Sequence, residues 1–84
     1  MVTYAEVDIR TRIAIAKSTH RELAQIMPKF DLESDLGFTM QNKNALSSAL
    51  NREFEREGLQ MTPDETFTCS MVSQIVDVVW KKML

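Results

Sequence analysis

DLGFTMQNKNALSSALNREF, residues 35–54, divides at Thr39. Residues 35–38 close a loop, and residues 39–57 read as a helix. Leu46, Ala49, Leu50 and Phe54 recur at three- and four-residue steps, which places them on one helical face. Gly58 is positioned to stop that helix. One apolar face must be buried against others, so the rest of the chain has to supply them.

Toward the N-terminus, Thr3 and Glu6 have capping-box spacing, which starts a helix near Tyr4. Ile9, Ile13, Ala16, Leu23 and Ile26 come mostly at helical steps, and no proline or glycine intervenes before Pro28. An apolar stripe over residues 4–26 is expected. Its weak point is Ser18-Thr19-His20, where short hydroxyl side chains compete for backbone hydrogen bonds and a break can fall. Residues 28–38, PKFDLESDLGF, form a loop whose Phe30, Leu32, Leu36 and Phe38 can plug into a core. Beyond Gly58, Thr62 before Pro63 can cap a short turn, and Ser70 can cap a last helix. Val72, Ile75, Val76, Val79 and Met83 give that helix its stripe, and Lys81 and Lys82 favour its C-terminal dipole. The expectation is one all-α domain over 1–84: a four-helix bundle of three main helices and one short one.

Composition agrees. With 44% hydrophobic and 26% charged residues the chain is globular, and two glycines with two prolines leave few turns for a sandwich or barrel. Ten basic against twelve acidic residues give a net charge of -2, so no global field recruits nucleic acid or an anionic membrane. No apolar run approaches the roughly 20 residues that span a bilayer, and the N-terminus lacks the flank and core of a secretory signal. A cytoplasmic location is the default expectation. The sequence has no Cys/His ligand cluster and no Gly-rich phosphate loop, so neither metal binding nor catalysis is expected.

Few residues carry chemistry of their own. Cys69 has no partner for an internal disulfide and no basic neighbour in sequence, which suits a partly buried structural thiol better than a redox handle. His20 reads as a solvent-facing helix residue. Trp80 either anchors an interface or closes the core against the first helix. Asn42, Lys43, Asn44 and Ser47 make a polar, nearly uncharged helix face, which is either simply solvated or contacts a partner through hydrogen bonds.

The order of these elements resembles the acyl carrier protein family along nearly the whole chain. In that family the loop closes with Asp-Leu-Gly and an apolar residue, then Asp-Ser-Leu, and a phenylalanine lies near the end of the second helix. Asp35, Leu36, Gly37 and Phe38 match the first part, and Leu46, Ala49, Leu50, Glu53 and Phe54 match the helix without gaps. Met61-Thr62-Pro63-Asp64 is similar to the family's Ile-Pro-Asp. The resemblance implies 4'-phosphopantetheine, held by the family's serine through a phosphodiester. Here Thr39-Met40-Gln41 stands in place of Asp-Ser-Leu, and a methionine thioether has no hydroxyl for that bond. No cofactor is therefore expected unless an atypical residue such as Thr39 takes it.

The resemblance also implies a protein partner, such as an acyl-transfer or synthase enzyme of fatty acid or polyketide synthesis, met by the start of the second helix. Met40, Gln41, Lys43, Asn44 and Ser47 are the candidate contact residues. Family members present acidic residues there, whereas Thr39 to Asn51 contains Lys43 and no acid, which removes that steering. Three readings are open: a carrier-like module without its attachment serine that works by binding a protein, a working carrier modified at an atypical residue such as Thr39, or a small helical interaction or DNA-associated domain alike in architecture only. Met40 itself either packs at the helix start or covers the mouth of an apolar interior.

Overall fold

The computed structural model describes residues 2–84 and is an all-α bundle of four helices. Helix α1 spans Tyr4–Thr19, α2 Met40–Glu53, α3 Pro63–Phe67 and α4 Val72–Met83, with 3-10 turns at Leu23–Gln25 and Glu55–Glu57. α2 packs on both α1 and α3, and α1 packs on α4.

Helix α1 starts where its cap predicts: the Thr3 hydroxyl accepts the Glu6 N–H at 3.2 Å. It ends at the weak point rather than continuing to 26. Ser18 and Thr19 donate back to the carbonyls of Ala14 and Ile15 at 3.0 and 2.9 Å, and His20 turns left-handed at φ 55. The Arg21 N–H then reaches the Ala16 carbonyl at 3.0 Å, closing the helix end. His20 is thus an exposed cap and not a helix residue.

The expected stripe is also partly out of phase. Within α1 the buried residues are Val7, Thr11, Ala14, Ile15 and Ala16; of the expected stripe Ala16 and, beyond the helix, Ile26 are buried, while Ile9 is 44% exposed and Ile13 only partly covered. A threonine and an alanine stand among the inward positions, so the inward face looks less apolar than its neighbour.

Residues 28–38 are ordered as expected, with Leu32, Leu36 and Phe38 in the core. Backbone bonds hold the loop against the start of α4: Leu32 N–H to the Ser70 carbonyl at 2.8 Å, and Val72 N–H to the Phe30 carbonyl at 3.0 Å. The Asp31 carboxylate accepts the N–H groups of Glu33 and Ser34 at 2.9 and 3.0 Å, which holds it below its usual range. Gly37, at φ 70, makes the turn into α2, a conformation that costs a glycine nothing.

The second helix is shorter than the expected 39–57: α2 stops at Glu53, Phe54 leaves the helix, and Gly58, at φ 74, ends the 3-10 turn that follows and not α2. Thr62 and Pro63 begin α3, where Glu65 accepts the Thr62 N–H at 2.9 Å. Ser70 does not cap α4. Instead Gln74 folds back, and its side-chain oxygen accepts the N–H groups of Ser70 and Met71. A glutamine carbonyl one turn inside the helix reaches both open donors at once, which a serine hydroxyl at 70 does not. Trp80 packs against the core and meets Tyr4 edge-on at 5.6 Å, while the Tyr4 hydroxyl donates to Asp77 at 2.8 Å. Of its two sequence readings, closing the core against α1 describes it.

Two ion pairs tie distant segments. Arg10 pairs with Glu57 at 3.0 Å, and Lys82 with Glu65 at 2.9 Å; each cation holds its carboxylate below the ordinary range. A folded-state pKa below the unfolded value means that the unfolded chain binds protons first as pH falls. The stabilisation is present above the unfolded carboxylate range and is lost as pH drops through the folded values. Thermal melts should therefore weaken from roughly pH 5 to pH 3. Glu57→Gln and Glu65→Gln should each flatten that dependence, and an unchanged slope would remove these pairs as its source.

Candidate functional site: the start and outer face of α2

The start of α2 is built by a reciprocal cap. Thr39, extended at φ -92 and ψ 175, accepts the Asn42 N–H on its hydroxyl at 3.2 Å. Asn42 in return accepts the Thr39 N–H and hydroxyl on its side-chain oxygen, both at 3.0 Å. Thr39 is exposed, but both functions of its hydroxyl are engaged.

Met40 is the first helical residue and is 74% exposed. That corrects both sequence readings of it, since a side chain so open neither packs at the helix start nor covers an interior. Gln41 and Asn44 are exposed as expected.

Lys43 and Ser47 are not on that surface. Both are buried, at 6% and 3% exposure. The Lys43 ammonium donates to Glu33 at 3.0 Å and to the Cys69 carbonyl at 3.2 Å, so it ties the loop before α2 to the segment before α4. Its aliphatic stem runs along the interior while its head finds oxygen partners. The Ser47 hydroxyl donates to the Asn44 carbonyl at 2.8 Å, which satisfies it within the helix. A helix advances about 100° per residue, so 43, 46, 47, 50 and 54 share the inward side. Positions 41, 44, 45, 48 and 52 are left for solvent.

Two further polar anchors had no signal in sequence beyond being polar. Asn51 donates to the Met61 carbonyl at 3.0 Å and accepts the Met61 N–H at 2.6 Å, stitching the segment before α3 to α2. The hydroxyl of Thr66, fully buried, lies 2.8 Å from both the Lys43 and the Pro63 carbonyl oxygens, which share its single proton. Cys69 is a buried thiol, as its sequence context suggests. Burial pushes its pKa up, against the pull of the Lys43 ammonium, which lies near it in space though not in sequence.

The outward side of α2 thus runs from an exposed methionine through neutral, short side chains to Arg52. With Lys43 turned inward, that surface carries neither acid nor base before Arg52. Two shallow clefts flank it: one of about 600 Å³ toward α1, and one of about 520 Å³ toward the segment before α3. Among the described residues no group of three or more His, Cys, Asp or Glu side chains is placed to hold a metal ion, and no helix is long and apolar enough to cross a membrane. No protein-family model and no curated protein matches the chain.

Proposed function

We propose that the chain is an acyl-carrier-protein-like module that has lost its phosphopantetheine attachment site and acts by binding a protein partner. The observation that carries this reading is Met40. It stands on the first turn of α2, exposed, directly after the Asp35-Leu36-Gly37 turn and the Thr39 cap. A carrier's attachment residue has to be open to a transferase and outside the core, and Met40 meets both conditions while lacking the oxygen nucleophile. The side chain present therefore does not fit phosphopantetheine. Thr39 is a poorer seat, because using its hydroxyl would break the cap that starts α2. The partner in this reading is a protein, such as an acyl-transfer or synthase enzyme, that contacts the outer face of α2 through Met40, Gln41 and Asn44. Lys43 and Ser47 shape that helix from within.

Intact-mass measurement after incubation with a broad-specificity pantetheinyl transferase and coenzyme A tests the reading. The wild-type chain is expected to keep its mass, and Met40→Ser to gain one phosphopantetheine arm on part of the population. Modification is partial because Thr39 and Gln41 still replace the family's flanking aspartate and leucine. A mass gain by the wild-type chain, mapped to Thr39 or another hydroxyl, would overturn the lost-site reading. Failure of both forms to react would separate this chain from carriers by more than one side chain.

A further inference from the structure

We infer that the cleft between α1 and α2 docks a helix of a partner protein that presents carboxylates to Lys17 and Arg52. This rests on the proposal that the chain works by binding a protein, and adds the chemistry of the partner.

Charge is what selects the occupant. The chain has a net charge of -2, yet this cleft is bordered by two cations, Lys17 and Arg52, against one carboxylate, Glu53. The Lys17 side chain is 76% exposed, and its only carboxylate contact among the described residues is Glu53 at 3.9 Å. Glu53 is meanwhile engaged by Arg10, whose guanidinium reaches the Glu53 carboxylate at 3.4 Å and its carbonyl at 2.7 Å. Arg52 makes no ion pair among the described residues. A carboxylate entering here gains two cations without displacing an existing close pair. Approach is steered by the same charges, because the neighbouring surface of α2 is neutral and does not oppose an acidic partner.

Shape points to a helix. The cleft is lined by Ala14, Ala45 and Ala49, side chains that have no rotamer freedom to lose when they are covered. Their small size lets a partner backbone come close, and Ser48 on the rim offers a hydroxyl. From Ala45 to Arg52 the groove runs about 10 Å along the helix axis, or about two turns of a docked helix. Nucleic acid is a worse match, since two cations beside one carboxylate do not track a row of phosphates.

An NMR titration of the isotope-labelled full chain with three synthetic helical peptides tests the inference. The peptides share an alanine-rich face and differ only in bearing glutamate, glutamine or lysine at two positions beside it. The glutamate peptide is expected to move the amide signals of Ala14, Lys17, Ala45 and Arg52, and to bind about fivefold more tightly than the glutamine peptide, the effect of two exposed ion pairs. The double variant Lys17→Glu/Arg52→Glu, both at solvent-facing positions, should transfer that preference to the lysine peptide. Ala45→Trp, which fills the groove from an exposed position, should abolish binding of all three. Equal binding of glutamate and glutamine peptides, signal changes elsewhere on the surface, or an unchanged preference in the charge-reversed variant would each overturn the proposal. So would concentration-dependent changes at the same residues without peptide, which would assign the cleft to a second copy of this chain. The two readings fail separately: transfer of the arm to wild type removes the lost-site proposal alone, and absence of a glutamate preference removes the docking proposal alone.

Discussion

Phe54→Ala is expected to cost the fold about 3–5 kcal/mol, the range for emptying a buried aromatic site. The ring is fully buried at the end of α2, where the helix gives way to the turn that leads to Gly58. Its outer face is covered by the Arg10 guanidinium, 4.4 Å from the ring centroid. Truncation would therefore remove core contacts and the surface on which Arg10 rests, although the Arg10 bonds to Glu53 and Glu57 could persist. The backbone here is also a junction, since the Phe54 carbonyl accepts the N–H groups of Glu57 and Leu59 at 3.0 and 3.4 Å. A domain holds only about 5–15 kcal/mol in total, so the loss would take a large share of its stability and move the urea midpoint well down. Urea melts check this, with Phe54→Leu as the control that fills most of the space and loses less than about 1.5 kcal/mol. A loss below about 1 kcal/mol for the alanine variant would mean that the ring is not a core element.

What could be read in the sequence and what could not divide along a physical line. Helix starts were legible at Thr3, Thr39 and Thr62-Pro63, because caps depend on residues within one turn of each other, whereas Gly58 closes the 3-10 turn after α2 and not α2 itself. The stripe of α4 was legible because Val72, Ile75, Val76 and Val79 fall at three- and four-residue steps on one face, and all four are buried. In α1 the phase was partly lost. Thr11 is fully buried there and its hydroxyl has no hydrogen-bond partner among the described residues, so a position that reads as polar is in fact core. The same limit applies to the candidate site. Lys43 and Ser47 read as surface from their side-chain types, yet the inward turn of each depends on partners far along the chain or within the helix backbone. Local pattern could not place Glu33 and the Cys69 carbonyl around position 43, because loop closure brings them there. Met40 failed in the opposite direction: an apolar residue at a helix start reads as packed, but the Thr39–Asn42 cap fixes the first turn so that the side chain faces solvent.

The buried ammonium of Lys43 gives the second large effect. Lys43→Glu would put a carboxylate among the oxygens of Glu33 and Cys69 that now accept from the ammonium, with no donor to answer it. An uncompensated buried charge of this kind is expected to cost about 3–5 kcal/mol. Lys43→Met keeps the aliphatic stem and removes only the head. Glu33, whose side chain is 67% exposed, can return to water, so the remaining penalty is the Cys69 carbonyl left without its donor, about 1–2 kcal/mol. The ranking wild type, then Lys43→Met, then Lys43→Glu in urea melts checks the inward placement. A second readout separates a lost contact from a buried charge. Lowering the pH protonates the introduced carboxyl, so the gap between the Glu and Met variants should narrow in acid, and the Cys69 thiol should react faster with an alkylating agent in the Glu variant at neutral pH as the segment around it opens. If both substitutions cost only a few tenths of a kcal/mol, as surface changes do, Lys43 faces solvent and belongs with Gln41 and Asn44 on the outer face.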